Sequence, residues 1–174
     1  MPNSKDGFSW DQIGDIALGR PNLGPTTRLE AYRLMQFSLR HVLEAEYGAE
    51  AADRLFRAAG RLAGQAFAER QMEPRGSLPE YVRDLQRLLR EFGIGILRVE
   101  ETNPDAGRLV LTVAEDLDCS GLPEMNMHVC KYDEGFIAGL LEAFTGRIYH
   151  VTEVDCWASG ERVCRFVAEA EEPQ

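Results

Sequence analysis

Apolar side chains recur at three- and four-residue steps through the first half of the chain, the spacing that gathers them on one side of an α-helix. Thr27-Arg28-Leu29-Glu30 has the spacing of a capping box, and Tyr32, Met35, Leu39, Val42 and Leu43 follow it, predicting a helix that ends near Gly48. A second helix, from about 49 to 71, presents Leu55, Ala58, Ala59, Leu62, Ala66 and Phe67 on one side. Gly60 and Gly64 lie four apart within it; they lower helix propensity, so their use is the close approach of another backbone. Ser77-Leu78-Pro79-Glu80 opens a third helix, with Val82, Leu85, Leu89 and Phe92 on its buried stripe and Gly93 at its end.

The period then changes to two. Residues 94–100 and 108–114 alternate and are rich in β-branched side chains, and Asn103-Pro104-Asp105-Ala106-Gly107 joins them as a hairpin. Leu117 to Val129 is loop by composition. Asp133 is expected to cap a fourth helix that buries Phe136, Ile137, Leu140, Leu141 and Phe144 and stops at Gly146. Residues 148–157 and 162–168 form a second hairpin turned at Ser159-Gly160. Three helices, two strands, one helix and two strands predict an α+β domain, helices packed on a four-stranded, largely antiparallel sheet formed by two hairpins. Residues 1–25, punctuated by glycine and proline, read as an arm packed on the domain or on a partner subunit through Phe8, Trp10, Ile13, Ile16 and Leu18. Residues 169–174 read as a solvated acidic tail, leaving 26–168 as the domain.

Charge narrows the choice of partner. Lys and Arg number 19 against 29 Asp and Glu, a net charge of −10, which argues against nucleic acid because phosphate binding rests on Lys and Arg. No apolar run is long enough to span a membrane and the first residues lack the order of a signal peptide, so a cytoplasmic location is expected. In that setting the 4 cysteines point to metal or thiol chemistry rather than a disulfide framework.

Zinc takes four ligands in a tetrahedron, and the last third of the chain supplies local clusters of the right residue types. If the second hairpin turns through Ser159, Gly160 and Glu161, Cys156 and Cys164 sit opposite each other, with Cβ atoms roughly 4.5 to 5.5 Å apart. A two-residue turn would instead set Cys156 opposite Val163. Cys130, at the entry of the fourth helix where amides and the helix dipole favour a thiolate, is the natural third ligand. Glu153 lies three residues before Cys156, so both can ligate only if the strand bulges between them. Cys119, His128 and His150 compete for the fourth position, and spacing alone does not choose. Free cysteines also simply fill cores, and Cys119 by itself reads as a core or loop thiol.

A cysteine, then Gly135-Phe136 and Gly139 in a helix, then Glu153-x-x-Cys156 and Cys164 across a hairpin: this stretch resembles the 4-vinyl-reductase (hydrocarbon-binding) domain family, and the likeness extends over about residues 26–168. The family includes the sensor domains of phenol- and toluene-responsive activators and is similar to the transport-particle subunit fold. The resemblance implies a structural zinc held by Cys130, Glu153, Cys156 and Cys164, choosing Glu153 over the histidines, and a cavity for a small hydrophobic ligand. The sensor members read a phenol hydroxyl with a histidine and a tryptophan ahead of the first cysteine. Here no histidine lies between His41 and His128 and no tryptophan between Trp10 and Trp157, so a phenolic ligand is not expected.

Phe136, Leu140, Phe144 and Tyr149, with Tyr81 and Phe92, are the candidate walls of the cavity, although aromatic residues at helical spacing serve plain cores equally. His150 is expected as a satisfied core or surface histidine, and Trp157 as a shield beside Cys156 or an exposed turn residue. The expected function is a zinc-stabilised, homodimeric binding or sensor domain for a lipid, an aromatic compound or a tetrapyrrole precursor. It would act through an unidentified protein partner, since the chain carries no ATPase or DNA-binding segment. One alternative is an accessory subunit of a vinyl reductase in (bacterio)chlorophyll synthesis; no Gly-x-Gly-x-x-Gly follows a strand to bind the nicotinamide of a reductase acting alone. The other is an interaction scaffold, in which Gly60 and Gly64 mark a dimer face and side chains fill the cavity.

Overall fold

A computed structural model describes residues 7–73 and 76–172; residues 1–6 of the expected arm and 173–174 of the expected tail lie outside the described residues. Two compact units divide at Ala52 and Asp53. In the first, a 3-10 turn (Trp10–Ile13) and the short helix α1 (Ile16–Gly19) precede α2 (Leu29–Tyr47). The capping box expected at Thr27 does not form. Arg28 is the N-cap residue, with no side-chain cap, and its guanidinium takes the carboxylate of Glu30 that would have reached back to the amide. Of the expected stripe of α2, Met35, Leu39 and Val42 are exposed and Tyr32 and Leu43 half-buried, and Leu34 is exposed as well.

Helix α3 (Ala49–Gln71) leads into the second unit, which continues with α4 (Leu78–Glu91), β1 (Ile96–Asn103), β2 (Arg108–Ala114), α5 (Lys131–Thr145), β3 (Tyr149–Asp155) and β4 (Cys164–Ala170). The strands form one antiparallel sheet in the order β1-β2-β4-β3, so the two hairpins are joined through β2 and β4. This is the α+β architecture expected from the pattern. Central strand β2 is buried at every position from Leu109 to Val113, the mark of a strand covered on both faces. Strand β4 continues through Glu169 and Ala170, two residues into the segment expected to be a tail, because Ala170 pairs with Tyr149.

Helix α4 opens with the expected capping box, in which the Glu80 carboxylate accepts from both the amide and the hydroxyl of Ser77. Its buried stripe is Tyr81, Leu85, Leu88 and Leu89; Phe92, expected on that stripe, is the C-cap residue and is exposed. Helix α5 starts one turn earlier than expected: Cys130 is its N-cap, and Asp133 lies in the first turn.

The buried side of α3 is also rotated from the expected one. Leu55 and Leu62 are exposed, whereas Phe56, Gly60, Gly64 and Phe67 are buried. Gly60 and Gly64 meet α5 of the same chain, so they do not mark a dimer face. A Cβ at Gly60 would lie 2.0 Å from the Tyr132 carbonyl oxygen, and one at Gly64 2.2 Å from that of Phe136. Helix α5 answers with its own pair: a Cβ at Gly135 or Gly139 would lie 2.0 or 2.2 Å from the carbonyl oxygen of Arg57 or Arg61. Two glycine pairs on facing helices thus let the backbones touch, and they set α5 between α3 and the sheet.

Candidate metal centre and cavity

Four thiols converge where α5 begins and the second hairpin turns. Cys119, Cys130, Cys156 and Cys164 are fully buried, and their sulfur atoms lie within 4.8 Å of one another. Cys130 Sγ is 3.9 Å from Cys156 Sγ and 3.8 Å from Cys164 Sγ, and Cys119 Sγ is 3.0 Å from Cys164 Sγ. None of the four is in a disulfide.

The last strand pair, Asp155 with Arg165, lies on the register that sets Cys156 opposite Cys164, although the turn is longer than three residues. The strands end at Asp155 and Cys164, and the intervening residues form a longer loop containing a 3-10 turn, Trp157–Ser159. Cys156 thus lies one residue beyond the last β3–β4 pair, next to Asp155, while Cys164 pairs with Val113 of β2. The bulge that Glu153 and Cys156 required is present, between Glu153 and Asp155.

Glu153 is 2% exposed, and its Oε2 accepts the Cys130 backbone N–H at 3.0 Å. Its Oε1 is buried without a hydrogen-bond partner. Burial, then the neighbouring Cys156, pushes its carboxyl up to about 8. Beneath it lies a buried carboxylate that the sequence did not single out. Glu134 accepts the Glu153 backbone N–H at 3.0 Å and pairs with Lys131 at 2.7 Å and with Arg57 of α3. Its partners come from three elements, and the i,i+3 spacing to Lys131 alone reads as an ordinary helix-surface pair.

The donor set fits a metal. Four soft sulfurs at this spacing can hold a thiophilic ion such as zinc, and Oε1 of Glu153 is buried nearby without a hydrogen-bond partner. Contacts with the other three sulfurs, more than burial, push the Cys130 thiol up, while the same neighbours hold Cys156 well below the usual thiol range. A cation bound among them would favour the thiolate form of all four.

A cavity of about 40 Å³ lies between α4, α5 and the sheet, walled by Leu85, Leu89, Leu97, Leu111, Val113 and Ile137 among others. Of the expected wall residues, Phe136, Leu140 and Tyr81 line it. Phe144 instead stacks on Tyr81 at 4.4 Å, Phe92 meets Phe67 edge to face at 5.1 Å, and Tyr149 is buried on β3 away from the lining. The only carboxylates on the lining are Asp116 and Asp133. Both have an oxygen within 4.8 Å of Cys130 Sγ, so they stand between cavity and thiols. Burial and the nearby Asp118 charge raise Asp116 to about 7, and Oδ2 of Asp133 is buried without a hydrogen-bond partner.

His150 is an exposed residue 2.8 Å from Glu171, as expected of a surface histidine. Trp157 is partly buried, and its indole N–H donates to the Leu122 carbonyl at 3.1 Å. Tyr81 donates its hydroxyl to the Leu140 carbonyl at 2.7 Å, and burial raises its phenol above the usual range. Tyr81→Phe is expected to cost about 1 kcal/mol, the net worth of one buried hydrogen bond, as measured by denaturant midpoint.

Residues 109–170 match the model of the vinyl-4-reductase domain, so the resemblance read from the sequence stands over the part that carries β2, α5 and the second hairpin. The chain spans about half the length of the curated relatives it matches. One, an uncharacterized protein of Methanocaldococcus jannaschii, is 26% identical over 84 residues, 48% of this chain and 50% of that one. The fold is similar to the phenol-responsive sensory domain of the transcription activator PoxR, solved with phenol, at TM-score 0.63 and 20% identity over 83% of this chain and 75% of that one. It is similar to a vinyl-4-reductase family protein from Methanocaldococcus jannaschii at TM-score 0.64 and 13% identity, over 98% of this chain and 99% of that one. A trafficking protein particle complex subunit 3 from Naegleria fowleri, covalently bound to palmitic acid, matches at TM-score 0.60 and 17% identity over 83% of this chain and 95% of that one. At these identities the likeness establishes the fold. None of the described helices is long and apolar enough to cross a membrane.

Proposed function

We propose that this chain is a zinc-stabilised binding or sensor domain that takes a small hydrophobic ligand and signals or delivers through a partner protein in the cytoplasm. The observation that carries the reading is the apolar cavity between α4, α5 and the sheet, with its acidic end set against the thiol cluster. The fold likeness to a phenol-responsive sensory domain and to a palmitate-bearing subunit supports the same reading. Cys130, Cys156 and Cys164 would hold the zinc, with Glu153 as the fourth donor that the resemblance implies. Zinc there supplies a structural crosslink between α5 and the second hairpin, with no open position for substrate. Homodimerisation belongs to the proposal, and the exposed Leu34, Met35, Leu39 and Val42 of α2 support it.

The ligand would be a lipid, an aromatic compound or a tetrapyrrole precursor, entering as the walls give way, since drug-sized sites run to roughly 300 Å³ or more. The narrowness of the cavity favours a second reading, a scaffold whose interior is filled by its own side chains. Thermal shifts separate the two. Benzene, indole and decanoic acid, each near saturation, are expected to raise the melting temperature of the native protein, at least one by the equivalent of about 2 to 3 kcal/mol. Leu111→Phe, which places a ring in the cavity, is expected to abolish that shift even after its own overpacking cost of about 1 to 3 kcal/mol is subtracted. Equal shifts in both proteins, or none in either, would favour the scaffold.

A further inference from the structure

We infer that Cys119 is the fourth metal ligand of this chain, and that Glu153 acts outside the coordination shell by positioning Cys130. The inference rests on the proposed metal site and changes its composition from three thiolates and a carboxylate to four thiolates.

The geometry offers five donors for four positions. A tetrahedral zinc with bonds of about 2.3 Å sets its sulfurs roughly 3.8 Å apart. Cys130 already stands 3.9 Å from Cys156 and 3.8 Å from Cys164. Cys119 joins the same group, every sulfur within 4.8 Å of every other, and its 3.0 Å approach to Cys164 needs to widen by less than about 1 Å. The Glu153 carboxylate is not part of that group. Its Oε2 is committed to the Cys130 amide.

The approach of Cys119 is also built. Asp116 Oδ1 accepts the backbone N–H groups of Asp118 at 2.8 Å and Cys119 at 3.1 Å, closing a turn that aims the thiol inward. The thiol is fully buried, as a ligand shielded from water would be. Glu153 and Glu134 form a chain behind the site, Glu134 holding the Glu153 amide and Glu153 holding the Cys130 amide, which is what an outer-shell pair does for a ligand. A tetrathiolate would favour soft, thiophilic ions over oxygen-seeking ones. It would also tie the loop from residue 115 to 129, whose Asp116 lines the cavity, to the metal.

The test uses the full chain, stripped of metal under reducing conditions and titrated with cobalt(II). The native protein is expected to give the sulfur-to-cobalt charge-transfer absorption of four thiolates. Cys119→Ser is expected to lose about a quarter of that intensity and to shift the ligand-field bands, while Glu153→Gln retains both. Unchanged bands in Cys119→Ser with altered bands in Glu153→Gln would overturn the inference. Should either variant fail to fold, X-ray absorption of the zinc-loaded native protein decides. A shell of sulfur alone at about 2.3 Å supports Cys119, and a mixed shell with oxygen at about 2.0 to 2.2 Å overturns it. A native protein that takes up no cobalt would overturn the inference and the proposed metal site together; uptake with a three-thiolate spectrum would overturn the inference alone.

Discussion

Cys156→Ser is expected to destabilise the native state by more than about 4 kcal/mol, the scale on which loss of a structural metal site is felt. Cys156 is fully buried at the start of the loop between β3 and β4, and its sulfur stands 3.9 Å from that of Cys130. Without it a metal at this site would lose the ligand through which that loop is anchored. If the four thiols were only core filling, the same change would cost about 1 to 3 kcal/mol, the price of a buried hydroxyl without a full set of partners. Denaturant unfolding with and without a strong chelator separates the cases. With a structural metal, the variant unfolds like the chelated native protein and chelator adds nothing to it. A native protein indifferent to chelator, with a variant that melts normally, would contradict a structural metal.

Gly139→Ala is expected to cost more than about 3 kcal/mol, at the upper end of overpacking effects. The added methyl would lie 2.2 Å from the Arg61 carbonyl oxygen and 2.9 Å from the Gln65 amide nitrogen, both backbone atoms of α3 that cannot swing aside. Relief requires the two helices to separate by about 1 Å, which loosens the packing along their whole contact. Gly19→Ala supplies the control: nothing lies within 4 Å of that position, and its backbone is not left-handed. It is expected to change stability by no more than about 1 kcal/mol, in the favourable direction, through helix propensity. Equal unfolding midpoints for the two variants would show that α3 and α5 are not in backbone contact.

The elements were legible because hydrophobic period reports local geometry. Leu85 and Leu89 in α4 and the β-branched runs of β1 and β2 placed helices and strands within a few residues of where they lie. What the period could not say is which long-range partner claims a given side chain. Arg28 takes Glu30 from the expected cap, and Gly60 and Gly64 were legible as a close contact but not as a contact with Gly135 and Gly139. The length of the second hairpin's turn was not legible, because Trp157 to Ser159 coil into a 3-10 turn, whereas the pairing of Asp155 with Arg165 keeps the register that sets Cys156 opposite Cys164.

At the metal centre, Cys130, Cys156 and Cys164 could be grouped from spacing and resemblance. Cys119 was a candidate for the fourth position alongside His128 and His150, and spacing did not single it out because it reaches the cluster from a loop of irregular composition through a turn closed by Asp116. A signal was present in hindsight, since Asp-x-x-Cys is the spacing of a carboxylate that closes a turn on a following amide. Glu134 has a local partner in Lys131, three residues earlier, but that spacing does not distinguish it from a surface pair, and its other partner Arg57 lies 77 residues away. The cavity was legible only in part: α5 and α4 were named as its walls, but whether an aromatic side chain faces the cavity or packs beside it depends on rotation about each helix axis. Phe136 and Phe144, eight residues apart on one helix, fall on different sides of that distinction.

The central claim joins a metal centre to a cavity for a hydrophobic guest, and native mass spectrometry of the full chain tests both together. The protein would be purified without added metal or chelator and compared with the same sample denatured. The expected result is one zinc per chain, and a small lipophilic passenger in at least a fraction of the native species that disappears on denaturation. A native species that carries neither metal nor passenger, and that acquires neither when zinc and the ligand series are supplied, would contradict the claim.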